Sequence, residues 1–159
     1  MPIINYYDSI NKLIRVRGDR NIGDVFNDIR KKITPIIENK IIIKTQMLLD
    51  SISTNDWIMY ENLCDPSLTC FEEESNGNLI QGLEFHKFYF DTSKPKCEPK
   101  NQSTINNCKV RIMGKSSLIT YIRDKKNIAT GNIESFKETR IWELMNGNWK
   151  HVHFHRNKI

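Results

Sequence analysis

An α+β fold, with helices first and antiparallel strands after them, is predicted by three features of these 159 residues. Apolar residues recur at helical spacing between Ile22 and Ile52. Beyond Pro99 they fall into strand-like runs. Between two of those runs stands Asn146-Gly147, both of which tolerate the positive φ that a tight hairpin needs.

From Ile22, the residues Val25, Phe26, Ile29 and Ile33 share one helix face, with Asp24 and Asp28 toward its start and Arg30-Lys31-Lys32 at its end. That order complements the helix dipole and gives the basic triplet a structural reason. A weaker apolar set, Ile10, Leu13 and Ile14, precedes it. Thr34-Pro35 predicts a break: Thr caps, Pro suits a first helical position, and the residue before Pro disfavours helix. A second helix is expected over residues 35–53, burying Ile37, Ile41, Leu48 and Ile52. Thr54-Asn55-Asp56 then starts a shorter one carrying Trp57, Ile58, Tyr60 and Leu63, which Asp65-Pro66 ends. Residues 68–71 read as a short strand, and residues 82–90 fit strand or helix by periodicity. Strands follow at residues 110–113 and 118–122 around a Gly114-Lys115 turn, then at 141–144 and 149–154 around Asn146-Gly147.

Composition narrows function by exclusion. No apolar run approaches the ~20 residues of a membrane helix, and residues 1–7 are too short and mixed for a secretory signal, so a cytoplasmic protein is expected. Cys64, Cys70, Cys97 and Cys108 have no paired or metal-like spacing and read as incidental thiols. The net charge is +5, yet the basic residues are scattered among acids, which argues against nucleic acid. No glycine-rich phosphate loop or kinase catalytic string occurs. Gly114-Lys115-Ser116 lacks the upstream glycine of a P-loop, since position 109 is Lys.

Among candidate chemical groups, Arg123 and Arg140 stand mid-strand amid apolar neighbours. Facing inward, they need carboxylates or a bound anion; otherwise they face out or pair with acids such as Glu84 or Glu138. His86, in an aromatic string, reads as a hydrogen-bonded packing residue. His151, His153 and His155 alternate with Val152 and Phe154 and so project from one strand face. Residues two apart on a strand hold their side chains ~7 Å apart, so no metal site is expected there.

Three strings carry a family resemblance: Cys64-Asp65-Pro66-Ser67-Leu68-Thr69, Gly82-Leu83-Glu84-Phe85-His86-Lys87-Phe88-Tyr89-Phe90, and Glu138-Thr139-Arg140-Ile141-Trp142. With Tyr121-Ile122-Arg123, Trp149 and the ending His151-Val152-His153-Phe154-His155, they occur in order, and residues 34–159 resemble the association (hub) domain of calcium/calmodulin-dependent protein kinase II. Residues 1–33 form an unmatched amphipathic extension whose apolar face calls for a cover. The resemblance implies a cone-shaped fold like that of nuclear transport factor two, a long helix wrapped by a curved antiparallel sheet, with a short helix near residues 82–90. It departs from the family at His151, where Asn is usual, in the loop at residues 91–100, and in a shorter segment at residues 124–137.

Function follows from the resemblance as expectation. The chain is a non-catalytic scaffold that self-assembles into stacked rings built from dimers, with full-length kinase subunits as possible co-assembly partners. Its pocket, lined by residues matching Arg123 and Arg140 with Tyr60 and His86 nearby, accepts a small carboxylate or a peptide segment. No catalytic residue, metal or cofactor is expected. The alternative is a small-molecule isomerase or hydratase of the same fold, with Tyr60, His86 and Glu84 in the catalytic roles. Against it, paired arginines keep a neighbouring carboxylate ionised and poorly basic.

Overall fold

The computed structural model describes residues 2–90 and 97–159. It divides into two compact units, Met1–Ile37 and Glu38–Ile159. Of the loop at residues 91–100, residues 91–96 lie outside the described residues.

In the first unit, helix α1 spans Pro2–Ser9, which the sequence reading did not anticipate, and an irregular stretch follows. Arg15 pairs with Asp8 at 2.9 Å, Arg20 with Asp28, and Lys32 donates to the Arg15 carbonyl. Helix α2 spans Ile22–Ser53, and Asn21 opens it by accepting the Asp24 amide at 2.9 Å. The expected break at Thr34-Pro35 is absent: Pro35 lies inside one continuous helix. Pro35 forfeits one backbone bond, whereas a break would strand up to four carbonyls and four amides. The basic triplet is therefore mid-helix, and the dipole no longer accounts for it. Ile22, Phe26, Ile29 and Ile33 remain exposed, Ile22 at 88%.

In the second unit, Ile41, Thr45, Leu48 and Leu49 form the buried stripe of α2 at the i, i+4, i+7 spacing of one helix face. Gln46 ties α2 to strand β3 (Asn101–Met113) by donating to the Ser103 carbonyl at 2.9 Å. Helix α3, Trp57–Leu63, is capped as expected, with Asp56 accepting the Met59 amide at 2.9 Å. Strand β1, Cys64–Phe71, begins earlier than predicted. Its ladder shifts between Cys64 and Thr69, the stretch in which Pro66 has no amide to donate. Strand β2 is the two-residue Ile80–Gln81, and residues 82–90 contain a 3-10 turn, Glu84–Tyr89.

Strands β4 (Ser116–Asn127), β5 (Ile133–Met145) and β6 (Asn148–Lys158) complete a six-stranded sheet ordered β2-β1-β6-β5-β4-β3. All neighbours are antiparallel except β1 and β6. The β5–β6 turn is the predicted hairpin, with Asn146 at φ 49° and Gly147 at φ 80°. Strand β4 buries Ser117, Ile119, Tyr121 and Arg123, and β5 buries Phe136, Glu138, Arg140 and Trp142, so both arginines face inward.

The three histidines do not share a face. The β5–β6 register slips between Ile141 and Trp142, which pair with His153 and His151 and leave Val152 as the extra residue of a bulge. His151 is thereby buried, while His153 is half-buried and His155 exposed.

Candidate functional site

Strand register builds the site. On the inner face Tyr121 lies opposite Glu138, and Glu138 opposite Arg156; Ile119 lies opposite Arg140, and Arg140 opposite Phe154. With the next row, in which Arg123 lies opposite Phe136, they bring three arginines and a glutamate from three strands to one wall. The wall bounds a cavity of about 420 Å³ within the second unit. Arg123, Arg140, Arg156, Phe136 and Phe154 line it from the sheet, Tyr60 from α3, and Glu72, Glu74 and Tyr89 from the segment after β1. Lys100, Asn101 and Lys125 line it as well.

Glu138 is the hub of this wall. Its Oε2 accepts from Arg140 Nη2 at 2.7 Å, from Arg140 Nε at 3.1 Å and from the Tyr121 hydroxyl at 2.5 Å. Its Oε1 lies 3.4 Å from Arg123 Nη1. Burial alone would raise this carboxyl; Arg140 and then Arg123 more than offset that and hold it at about 2. Arg140 also donates Nη1 to His151 Nε2 at 3.3 Å and lies over the Phe154 ring at 4.6 Å. It is fully engaged.

Arg123 is not. It donates Nε to Ser103 Oγ at 3.0 Å, its contact with Glu138 is long, and Nη2 has no hydrogen-bond partner among the described residues. Burial pulls its pKa down against the opposing pull of Glu138. Of the two arginines singled out in the sequence, Arg123 is the one whose charge is incompletely matched.

Arg156 forms a second cluster, 3.0 Å from Glu72 Oε2 and in contact with Glu74. Tyr89 donates to Glu72 Oε2 at 2.9 Å and accepts from Arg156 at 3.0 Å. Burial raises the Glu72 carboxyl and Arg156 draws it back, with the net direction upward. Across both clusters three buried arginines meet three glutamates, so the surplus charge lies with Lys100 and Lys125. Lys125 is itself 3.7 Å from Glu134.

Tyr60 and His86 behave differently from each other. Tyr60 lines the cavity, stacks on Trp57 at 5.8 Å, and is pushed well above its ordinary pKa, chiefly by burial. His86 does not line the cavity. It is fully buried 5.9 Å from the Tyr60 ring, with Nε2 3.3 Å from Cys70 Sγ; burial, then Arg140 and Arg156, lowers it to about 4, so it is neutral. Glu84, the third residue cast in a catalytic role, is exposed and pairs with Lys87 at 2.8 Å. Arg156, Glu72 and Glu74 were missed in the sequence. Arg156 was within reach, because it follows Phe154 at strand period and so shares its face.

The family model of the calcium/calmodulin-dependent protein kinase II association domain matches residues 38–159. The chain belongs to this family. The delta subunit of calcium/calmodulin-dependent protein kinase type II from Oryctolagus cuniculus is 36% identical over 124 residues, which is 76% of this chain but 23% of that protein. The association domain of C. elegans CaMKII superposes with a TM-score of 0.71 at 37% identity, over 77% of this chain and 96% of that one. The hub homology domain from Chlamydomonas reinhardtii gives 0.69 at 34% identity, over 77% and 98%. An NTF2-like protein from Cytophaga hutchinsonii, at 19% identity and a TM-score of 0.61 over 76% and 97%, shares the fold. The fold is thus NTF2-like, and the CaMKII association domain is an oligomerisation domain. Among the described residues no helix is long and apolar enough to cross a membrane.

Proposed function

We propose that this association domain is a non-catalytic scaffold of the cytoplasm: copies pair, the pairs close into a two-layered ring, and full-length calcium/calmodulin-dependent kinase subunits can enter the same ring. The family match over residues 38–159 carries this reading, since repeated self-complementary contacts produce closed symmetry. The cavity serves the scaffold as a site for a small carboxylate or an acidic peptide segment. Arg123 supports that role, being a buried guanidinium on the cavity wall with one long ion pair and an Nη2 that has no hydrogen-bond partner among the described residues. Tyr60 and Arg140 frame the site, and His86 backs it through Tyr60.

Light scattering or native mass spectrometry of the purified chain tests the assembly, and a lone subunit at micromolar concentration refutes it. For the cavity, Arg123→Ala is expected to abolish binding of a small carboxylate by calorimetry. Undiminished binding removes Arg123 from the role.

The carboxylate behind the cavity wall also weighs against an isomerase or hydratase: Glu138, held at about 2, is too weak a base. Glu72 leans the other way, because burial raises it, but Arg156 and the Tyr89 hydroxyl both engage that carboxylate.

A further inference from the structure

We propose that Cys70, Glu72 and His86 form a zinc site beside the cavity. Cys70 Sγ lies 3.3 Å from His86 Nε2 and 3.8 Å from Glu72 Oε1, and His86 Nε2 lies 3.7 Å from Glu72 Oε1. A tetrahedral zinc with bonds of ~2.3 Å to sulfur and ~2.0–2.2 Å to nitrogen and oxygen sets ligand atoms ~3.4–3.6 Å apart. The three observed separations bracket that range, so an ion fits with adjustments of a few tenths of an ångström. All three side chains are buried.

The chain brings them together by simple means. Cys70 is the penultimate residue of β1, and Glu72 follows two residues later. β2 then folds back along β1, with the Gly82 amide donating to the Leu68 carbonyl at 2.7 Å, and sets the 3-10 turn bearing His86 over the end of the strand. Glu72 is held from behind: Arg156 and the Tyr89 hydroxyl occupy Oε2, leaving Oε1 turned to the thiol and the imidazole. Such outer contacts are what orient a metal-ligating carboxylate.

Without a cation this cluster is poorly satisfied. The single Cys70 thiol proton can serve His86 Nε2 at 3.3 Å or Glu72 Oε1 at 3.8 Å, not both at once. Three lone-pair groups therefore converge where one divalent cation would engage all of them, with soft sulfur and imidazole favouring zinc over calcium or magnesium. Binding is an exchange in which the Cys70 S–H bond breaks, the S–Zn bond forms and one proton passes to solvent; no electron moves. The proposal stands apart from the carboxylate reading, because Cys70 and His86 do not line the cavity and Glu72 alone is shared.

The test titrates the full chain, stripped by chelator, with zinc chloride by calorimetry at neutral pH, and with cobalt(II) by absorption. About one zinc per chain is expected, with a thiolate-to-cobalt charge-transfer band. Cys70→Ala removes a direct ligand and should weaken zinc by at least the ~10–100-fold that loss of an outer-shell partner costs, and Cys70→Ser should lose the band. Cys64→Ser and the combined Cys97→Ser, Cys108→Ser, His155→Ala variant should keep both. No saturable zinc binding, a cobalt spectrum without the thiolate band, or Cys70→Ala binding like the parent would each overturn the site. Retention of the cobalt band in Cys64→Ser and in the combined variant decides the question even if Cys70→Ala does not fold.

Discussion

Replacing Glu138 by Gln removes the carboxylate around which the inner wall is organised. Its side chain is fully buried, and its pKa falls from the ordinary 4.5 to about 2. At ~1.4 kcal/mol per pKa unit, the folded state prefers the ionised form by ~3 kcal/mol. The sign follows from the depressed value: this contribution is complete above the unfolded pKa and is lost as pH falls through the folded one. At pH 7 Glu138→Gln should therefore cost at least ~3 kcal/mol, more if Arg123 and Arg140 are left without a counter-charge. Near pH 3 the linkage contribution shrinks to ~1 kcal/mol, so the gap between parent and variant should narrow by ~2 kcal/mol between the two pH values. Urea unfolding at fixed chain concentration, followed by tryptophan fluorescence, measures it. A variant within ~1 kcal/mol of the parent at pH 7, or a gap that does not change with pH, would show that the arginines do not depend on this carboxylate.

Other perturbations read out separate links in the chain of causes. Leu48→Ala, at a fully buried position of α2, should cost ~2–5 kcal/mol in the same urea assay. Gly147→Ala places a Cβ at φ 80° in the β5–β6 turn, where space is open; the loss should be ~1 kcal/mol from backbone conformation alone. Deleting residues 1–33, which carry the exposed Ile22, Phe26, Ile29 and Ile33, should lower the melting temperature or the assembly mass. An unchanged mass and melting temperature would leave that apolar face without a role in assembly.

Local signals were legible wherever one or two residues decide the backbone. Asp56 caps α3 because its carboxylate reaches the Met59 amide, and Asn146-Gly147 turns because both residues accept positive φ. The continuity of α2 through Pro35 was not legible, since it depends on what the helix on both sides retains by not ending. The bulge at Val152 was equally hidden. Strict alternation puts His151 with His153, and only pairing with β5 moves it to the inner face. Of the four candidate pocket residues, Arg123, Arg140 and Tyr60 are among those lining the cavity and His86 is not. The main counter-charge of the two arginines, Glu138, lies in the same string as Arg140 and was a candidate partner from the sequence. The neighbouring pair Glu72 and Arg156 was not legible, because the two groups stand far apart in sequence and only the folded chain joins them.

That register explains why the wall is polar without being a ready-made anion trap. Glu138 stands between Tyr121 and Arg156 across the sheet and between Arg123 and Arg140 along its own side of the cavity. Glu138 gives its short contacts to Arg140 and only a 3.4 Å contact to Arg123. Arg140 is therefore structural and Arg123 is left available, a division that two arginines in similar sequence settings do not announce. The proposed carboxylate site would gain selectivity from its own acids. On that proposal an incoming carboxylate would approach Arg123 while remaining clear of Glu72 and Glu74, which face the same cavity and are tied to Arg156. Small or extended anions would meet that condition, whereas a bulky polyanion would bring charge against both glutamates at once.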